Sequence, residues 1–237
     1  MKPQQESGNL PKQAYQPFFS IIITTYNRAH ILRRALDSLI SQTEDDWEAI
    51  IIDDESRDNT YFEVLPYLQS NHNIRYIRKT HSGEALSKNA GINSSSGKYI
   101  TFLDSDDEYS PMHLQSRKTI LINDPSVSFL HGGTWIIGNQ YVPDRFDNKK
   151  RIKLSECVLG GTFFIERSVL IKLKGFRKIF LGADADLFDR AADAGVRMEQ
   201  TKIPTYIYHH ENEDSITNML IKNNSESEGI YTDINLK

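Results

Sequence analysis

Three stretches of the chain stay apolar and β-branched for about the length of a strand and then stop in polar or acidic residues: FFSIIIT at 18–24, WEAIIIDD at 47–54 and YITFL at 99–103. Runs without alternation mark strands covered on both faces. Between them the apolar period becomes helical. Ile31, Leu32, Ala35, Leu36, Leu39 and Ile40 fall on one helical stripe. Phe62, Val64, Leu65 and Leu68 give a second helix, capped by Asp58 or Asn59, with Pro66 near a kink. A short strand at 73–78 precedes a third helix, opened by His81-Ser82-Gly83 and carrying Ala85, Leu86, Ala90 and Ile92. Four strands alternating with three helices, joined by right-handed crossovers, make a parallel, doubly wound α/β sheet.

Beyond Pro111 the pattern is less regular. Ser110 as cap and Pro111 at the first helical position launch a helix toward Ile122. Strands are expected at 127–131 and 134–142, a charged excursion at 141–153, and a strand at 158–166 whose glycine pair admits a close approach. A short helix at 168–173, a longer one at 184–194 and strands at 196–201 and 205–209 complete the ordered part. Residues 1–17, and those from 222 onward, are polar and aperiodic, which reads as a loose lead-in and a polar tail.

At 237 residues the chain is the size of one domain with a decorated edge. Its 38% hydrophobic and 25% charged residues exclude both a disordered and a membrane-spanning class. No apolar run reaches transmembrane length and the start lacks a signal-peptide hydrophobic region, so a cytoplasmic protein is expected. A net charge of −4 speaks against a general nucleic-acid binder; an anionic ligand has to be held by local groups or a metal. The single cysteine, Cys157, excludes an internal disulfide and reads as a small buried apolar residue.

The strand at 99–103 runs into Asp104, Asp106, Asp107 and Glu108. Like charges crowded there repel, and partial burial raises their pKa values unless a cation or donors compensate. Carboxylates at i and i+2 suit Mg2+ or Mn2+ with open positions for phosphates; the other reading is a solvated acidic turn closed by Ser110-Pro111. Strand carboxyl ends in an open α/β sheet are where ligands bind, which favours the first. Thr24-Thr25-Tyr26 offers a hydroxyl, backbone groups and an aromatic face for a flat base. Asp54 can accept from an imide N–H such as that of uracil, and Asp53 reads as a tie for loop backbone. Lys79 or Lys88, together with Arg78, could meet diphosphate charge.

The segments FSIIITTYNR, IIIDDESRDNT, SGEALSKNAGINSSSGKYITFLDSDD and GADADLFDRAADAG, in this order and spacing, resemble the inverting glycosyltransferases of family two, whose nucleotide-sugar-binding fold is called GT-A. The resemblance covers about 19–217. It implies a nucleotide-sugar-binding half at 18–110 and an acceptor-side half at 111–221 of the same domain. Thr24, Tyr26 and Asp54 would line the base pocket, and Lys88 with Asn89 would match the family's basic-plus-Asn pair. Asp104 and Asp106 match the outer acids of the DxD triplet, Asp106 on Mn2+ or Mg2+ and Asp104 on the ribose or metal shell, while Asp107 orients the loop.

By the same resemblance Asp184 is the base, the second acid of a Glu-Asp pair whose glutamate is here Ala183. His210 would be a third metal ligand, with His209 the alternative. The implied activity is inverting transfer of a sugar, UDP-linked first among the donors, to a glycan or lipid-linked saccharide in surface polysaccharide synthesis, at the inner face of the cell membrane. Two other readings stand beside it. A sugar nucleotidyltransferase would want a glycine-rich phosphate loop after the first strand, and TTYNRAH has no glycine. A non-catalytic nucleotide- or glycan-binding protein is suggested by Ala183.

Overall fold

The computed structural model describes residues 15–147, 150–179 and 181–211; the expected polar tail and most of the expected lead-in lie outside them. The first half follows the hydrophobic pattern closely: β1 (Phe19–Thr25), α1 (Leu32–Ile40), β2 (Trp47–Asp53), α2 (Thr60–Ser70), β3 (Ile74–Arg78), α3 (Glu84–Ser94) and β4 (Tyr99–Phe102). Strands β1 to β4 are mutually parallel, with β1 central between β2 and β4. Their side chains alternate into two cores. Phe19, Ile21, Ile23, Ala49 and Ile51 meet α1, whereas Ile22, Ile50, Ile52, Ile100 and Phe102 meet Ile92 of α3. That double burial is why the strands read as unbroken apolar runs.

The second half comprises β5 (Glu108–Tyr109), α4 (His113–Asn123), β6 (Phe129–His131), β7 (Thr134–Gly138), β8 (Tyr141–Pro143), β9 (Arg151–Lys153), β10 (Phe164–Glu166), α5 (Arg167–Lys172), α6 (Ala183–Asp193), β11 (Met198–Gln200) and β12 (Tyr206–His210). The seven-stranded sheet has the order β11-β6-β10-β4-β1-β2-β3, with β10 antiparallel to both its neighbours. A smaller sheet, β5-β12-β7, crosses its carboxyl end.

Five expectations need correction. Helix α4 starts at His113, not Pro111, because Ser110 to Met112 form a turn whose carbonyls are taken by Gln42, Thr43 and His113. The single strand expected at 134–142 breaks at Gly138, where φ is +91° and a Cβ would meet the His210 carbonyl at 2.8 Å. The charged excursion is a two-stranded hairpin, β8 pairing with β9. Only the end of 158–166 is a strand; Gly160–Thr162 is a buried 3-10 turn. Cys157 is half-buried rather than buried.

Candidate active site

The carboxyl ends of β1, β2 and β4 and the start of α3 share one edge of the sheet. The loop after β1 is tied to the loop after β2: Asn27 N–H donates to Ser56 Oγ (2.9 Å), Ala29 N–H to Asp58 Oδ2 (3.0 Å) and Arg57 N–H to Asn27 Oδ1 (2.8 Å). Asp53 accepts from Ser56 N–H (2.7 Å) and the Tyr76 hydroxyl, the loop-tying role its position suggested. Asp58 reaches the start of α2 through Thr60 N–H (3.0 Å), so of the two cap candidates it is the aspartate that acts.

Asp54 is buried and already served by the protein. The Lys79 ammonium (2.6 Å), Ser82 N–H (2.9 Å), Gly83 N–H (2.8 Å) and the His81 ring (2.8 Å) all meet its carboxylate. Burial would lift its pKa; the Lys79 ammonium and the two N–H groups outweigh that and hold it at about 2. Its role is therefore first to fix the entry to α3, and a base imide would have to share these oxygens with Lys79 or His81. Tyr26, 43% exposed, lies with its ring 4.5 Å from that of His81, and Thr24 is half-buried beside it. His81 is a site residue that the sequence pattern did not single out, since a histidine before a helix carries no periodic signal.

Of the candidate cations for a diphosphate, Lys79 is spent on Asp54 and Arg78 donates to Ser56 O (3.0 Å). Lys88 is different. Although it sits on a helix it is only 3% exposed, roofed by Phe102 and Phe176, with its Nζ 2.6 Å from Glu84 and 3.3 Å from Asp104. Burial opposes its charge, but Asp104, Glu84 and Asp184 outweigh it and hold the ammonium well above its ordinary pKa. Asn89 clamps the roof, giving Phe176 a carbonyl-to-amide pair of 2.8 Å bonds in both directions. Glu84 was also not singled out by sequence reading.

Around this ammonium stand the acids. Asp106 is half-buried, and burial followed by the charge of Asp104 pushes it up to about 6; the charge of Arg28 works the other way. Arg34 donates to the Asp106 carbonyl and fixes the loop. Asp107 is buried, accepting from the Tyr206 hydroxyl (2.6 Å) and His209 N–H (2.8 Å), and so ties the acidic loop to β12.

Asp184 is the second residue of α6, not its cap, which is Gly182 at φ +82°. Its Oδ2 accepts from Gly160 N–H (2.9 Å). The glycine pair explains itself here. A Cβ on Gly160 would lie 2.5 Å from the Asp184 carboxylate, and one on Gly161 would lie 2.1 Å from the Tyr206 hydroxyl. Burial raises the Asp184 pKa, Lys88 lowers it, and Glu84 and Asp104 raise it again, which links all four groups in one field. Two other acids of α6 are paired with arginines, Asp186 with Arg177 and Arg190, and Asp189 with Arg145.

The two histidines separate. His209 Nε2 is engaged by Glu108 (2.9 Å) and its Nδ1 faces Glu211 (3.2 Å). His210 is buried, its Nδ1 2.7 Å from the Asn139 carbonyl, and its Nε2 has no hydrogen-bond partner among the described residues. A backbone carbonyl on one ring nitrogen leaves the other as a lone pair, the arrangement of a metal-ligating histidine. No described contact joins it to Asp106. The donor set at Asp104 and Asp106 fits a hard divalent ion, since oxygen ligands crowd there without full compensation. Among the described residues no three His, Cys, Asp or Glu side chains converge to hold an ion alone, so further ligands would come from a diphosphate. A concavity of about 560 Å3 lined by Gln16, Lys98, Glu166, Arg167, Ser168 and Ile171 lies at the opposite, amino end of β4, away from these groups.

A parallel sheet with clustered acids at its carboxyl edge and a smaller crossing sheet defines the GT-A class. Residues 20–172 match the model of glycosyl transferase family 2, and the chain belongs to that family. It is 31% identical over 157 residues to the Escherichia coli UDP-Glc:alpha-D-GlcNAc-diphosphoundecaprenol beta-1,3-glucosyltransferase WfgD, covering 64% of this chain and 61% of that one. An uncharacterized glycosyltransferase of Rickettsia felis is 34% identical over 71% of this chain and 29% of its own. Among solved structures, S. aureus TarS 1-349 in complex with UDP-GlcNAc superposes with a TM-score of 0.68 at 18% identity, over 84% of this chain and 60% of that one. The mannosyltransferase PcManGT from Pyrobaculum calidifontis, in complex with GDP-Man and Mn2+, gives 0.66 at 21% identity, over 82% and 57%. The chain thus spans about three fifths of the WfgD and TarS chains it matches. These two structural relatives confirm a fold, not a substrate.

Proposed function

We propose that this chain carries the catalytic site of an inverting glycosyltransferase that moves a sugar from a nucleotide-diphosphate donor, a UDP-sugar in the first instance, to a hydroxyl of a lipid-linked saccharide. The observation that carries the reading is the meeting of Asp184, Lys88 and Asp104 in one field at the carboxyl ends of parallel strands. WfgD, by its name, uses UDP-Glc and a diphosphoundecaprenol acceptor, which supports the choice of donor and acceptor.

The chemistry asks for a basic oxygen at the acceptor and a stabilised leaving group. Gly160 N–H holds Asp184 Oδ2, leaving Oδ1 to take the acceptor hydroxyl proton as the oxygen attacks the anomeric carbon. Burial raises its pKa and so makes it a stronger base than a surface aspartate, while the charge of Lys88 works against that rise. A single displacement inverts the anomeric centre, with no protein nucleophile required. Lys88, fixed by Glu84 beneath Phe176, presents positive charge toward the departing diphosphate. A divalent cation bound at Asp106 would supply the remaining charge neutralisation of the leaving group. Tyr26 offers its exposed ring to the base.

The test is transfer of labelled sugar from UDP-glucose and UDP-GlcNAc to a lipid-diphosphate saccharide in the presence of Mn2+, with Asp184→Asn as control. Transfer by the wild-type chain and none by the variant supports the reading; donor binding without transfer in both would make the chain a binding module.

A further inference from the structure

The β8–β9 hairpin is built with two unlike faces. In its register Tyr141 stands opposite Lys153 and Pro143 opposite Arg151, while Val142 pairs with Ile152. Val142 is buried and Ile152 half-buried beneath the ribbon; on the other face Pro143 is buried at the edge, whereas Tyr141, Arg151 and Lys153 are exposed. Past the strands the tip carries Phe146, 84% exposed and more so than any other large apolar side chain among the described residues, and Lys150, whose side chain is 77% exposed. An aromatic this exposed on a turn wins nothing from burial within the chain. Its backbone is nevertheless fixed: Asp144 Oδ1 accepts from Phe146 N–H (2.8 Å), and the Arg145 guanidinium lies 4.5 Å from the Phe146 ring.

The hairpin is also anchored beside the candidate base. Arg145 pairs with Asp189 of α6 (2.8 Å), and its side chain packs on Gly182, the residue that opens the helix carrying Asp184. The ribbon therefore projects from the acceptor side of the cleft. In a chain of net charge −4, it presents aromatic and cationic groups together.

We infer that the outer face of this hairpin, through Phe146, Tyr141, Lys150, Arg151 and Lys153, docks the chain on an anionic lipid surface. Aromatic rings seat at the boundary between headgroups and acyl chains, and basic side chains are drawn to the negative potential above it. The surface deepens the reading given under Proposed function, for it would hold the Asp184 side of the cleft toward a lipid-diphosphate acceptor. Charge complementarity selects this occupant: an apolar protein partner would have no use for three exposed cations, Lys150, Arg151 and Lys153, on the same hairpin.

The experiment is co-sedimentation of the full chain with vesicles of phosphatidylcholine alone or with a third of phosphatidylglycerol, without donor or acceptor. About tenfold stronger binding to the anionic vesicles is expected, weakening as salt is raised. Phe146→Ser and the double change Lys150→Glu with Arg151→Glu each lower it at least about fivefold, with unchanged thermal unfolding because these side chains are exposed. Equal binding to both vesicles, no binding to either, or variants that bind like the wild type would overturn the inference. So would a soluble polyanion that binds the hairpin while anionic vesicles do not. Because no sugar is transferred in this assay, its failure leaves the transferase reading standing, and an inactive enzyme that still sediments leaves the docking surface standing.

Discussion

Asp54 and Asp106 follow β2 and β4, the strands on either side of β1, and they sit in opposite electrostatic states. Asp54 receives an ammonium, two backbone N–H groups and an imidazole, and its pKa falls to about 2. Asp106 is pushed up to about 6 by burial and then by the charge of Asp104. One carboxylate is complete within the protein; the other is left short of positive charge at the place where a diphosphate and its cation would lie. The difference teaches which half of the cleft is scaffold and which is chemistry. Asp54 shapes the start of α3, and through α3 it sets Glu84 and Lys88 against the acids of the proposed site.

Several changes would break or sharpen this contrast, beginning with the largest. Asp184→Asn should lower kcat by about 10²–10⁴, the usual worth of a positioned general base, while donor affinity measured by calorimetry stays within about twofold. Normal turnover would remove Asp184 from the mechanism. Asp106→Asn should abolish the Mn2+-dependent part of nucleotide affinity and leave the metal-free part, read in paired titrations with and without Mn2+. Gly161→Ala drives a Cβ into the Tyr206 hydroxyl and costs the clamp on Asp107; thermal or urea unfolding should show a loss of about 2–4 kcal/mol. Lys79→Met takes one partner from Asp54 but leaves its two N–H donors, so a loss of about 1 kcal/mol is expected by the same measurement.

A pH dependence sharpens the same contrast. Because the folded pKa of Asp54 lies below its unfolded value of 3.8, the stability it contributes is fully present above about pH 4 and is lost as pH falls through about 2. In Asp54→Asn the slope of unfolding free energy over that window should flatten, by about 1–2 kcal/mol across it. An unchanged slope would mean that the carboxylate is not held by its neighbours.

Much of the first half was legible because double burial writes itself as an uninterrupted apolar run: β1, β2 and β4 fall within a residue of the expected bounds. The acids that end β4, and Asp184 at the start of α6, were legible as residue types at strand and helix ends. What the pattern hid were features decided by close approach. The glycine pair at 160–161 looked like part of a strand, yet its missing side chains make room for Asp184 and Tyr206. Nothing in a helical period reveals that Phe176, distant in sequence, covers Lys88. The hairpin at 141–153 looked like a loop since its charges mask the alternation of Val142 and Ile152 beneath. His209 and His210 could be told apart only once Glu108 was seen to occupy the first.

The account rests on the acid-ended strands converging on one nucleotide-binding cleft, and titration of UDP into wild-type and Asp106→Asn chains with and without Mn2+ tests that most directly. The wild type should bind UDP at least about tenfold more tightly with Mn2+, as expected when a cation bridges carboxylate and diphosphate, and the variant should show no such gain. An equal gain from Mn2+ in both would contradict it.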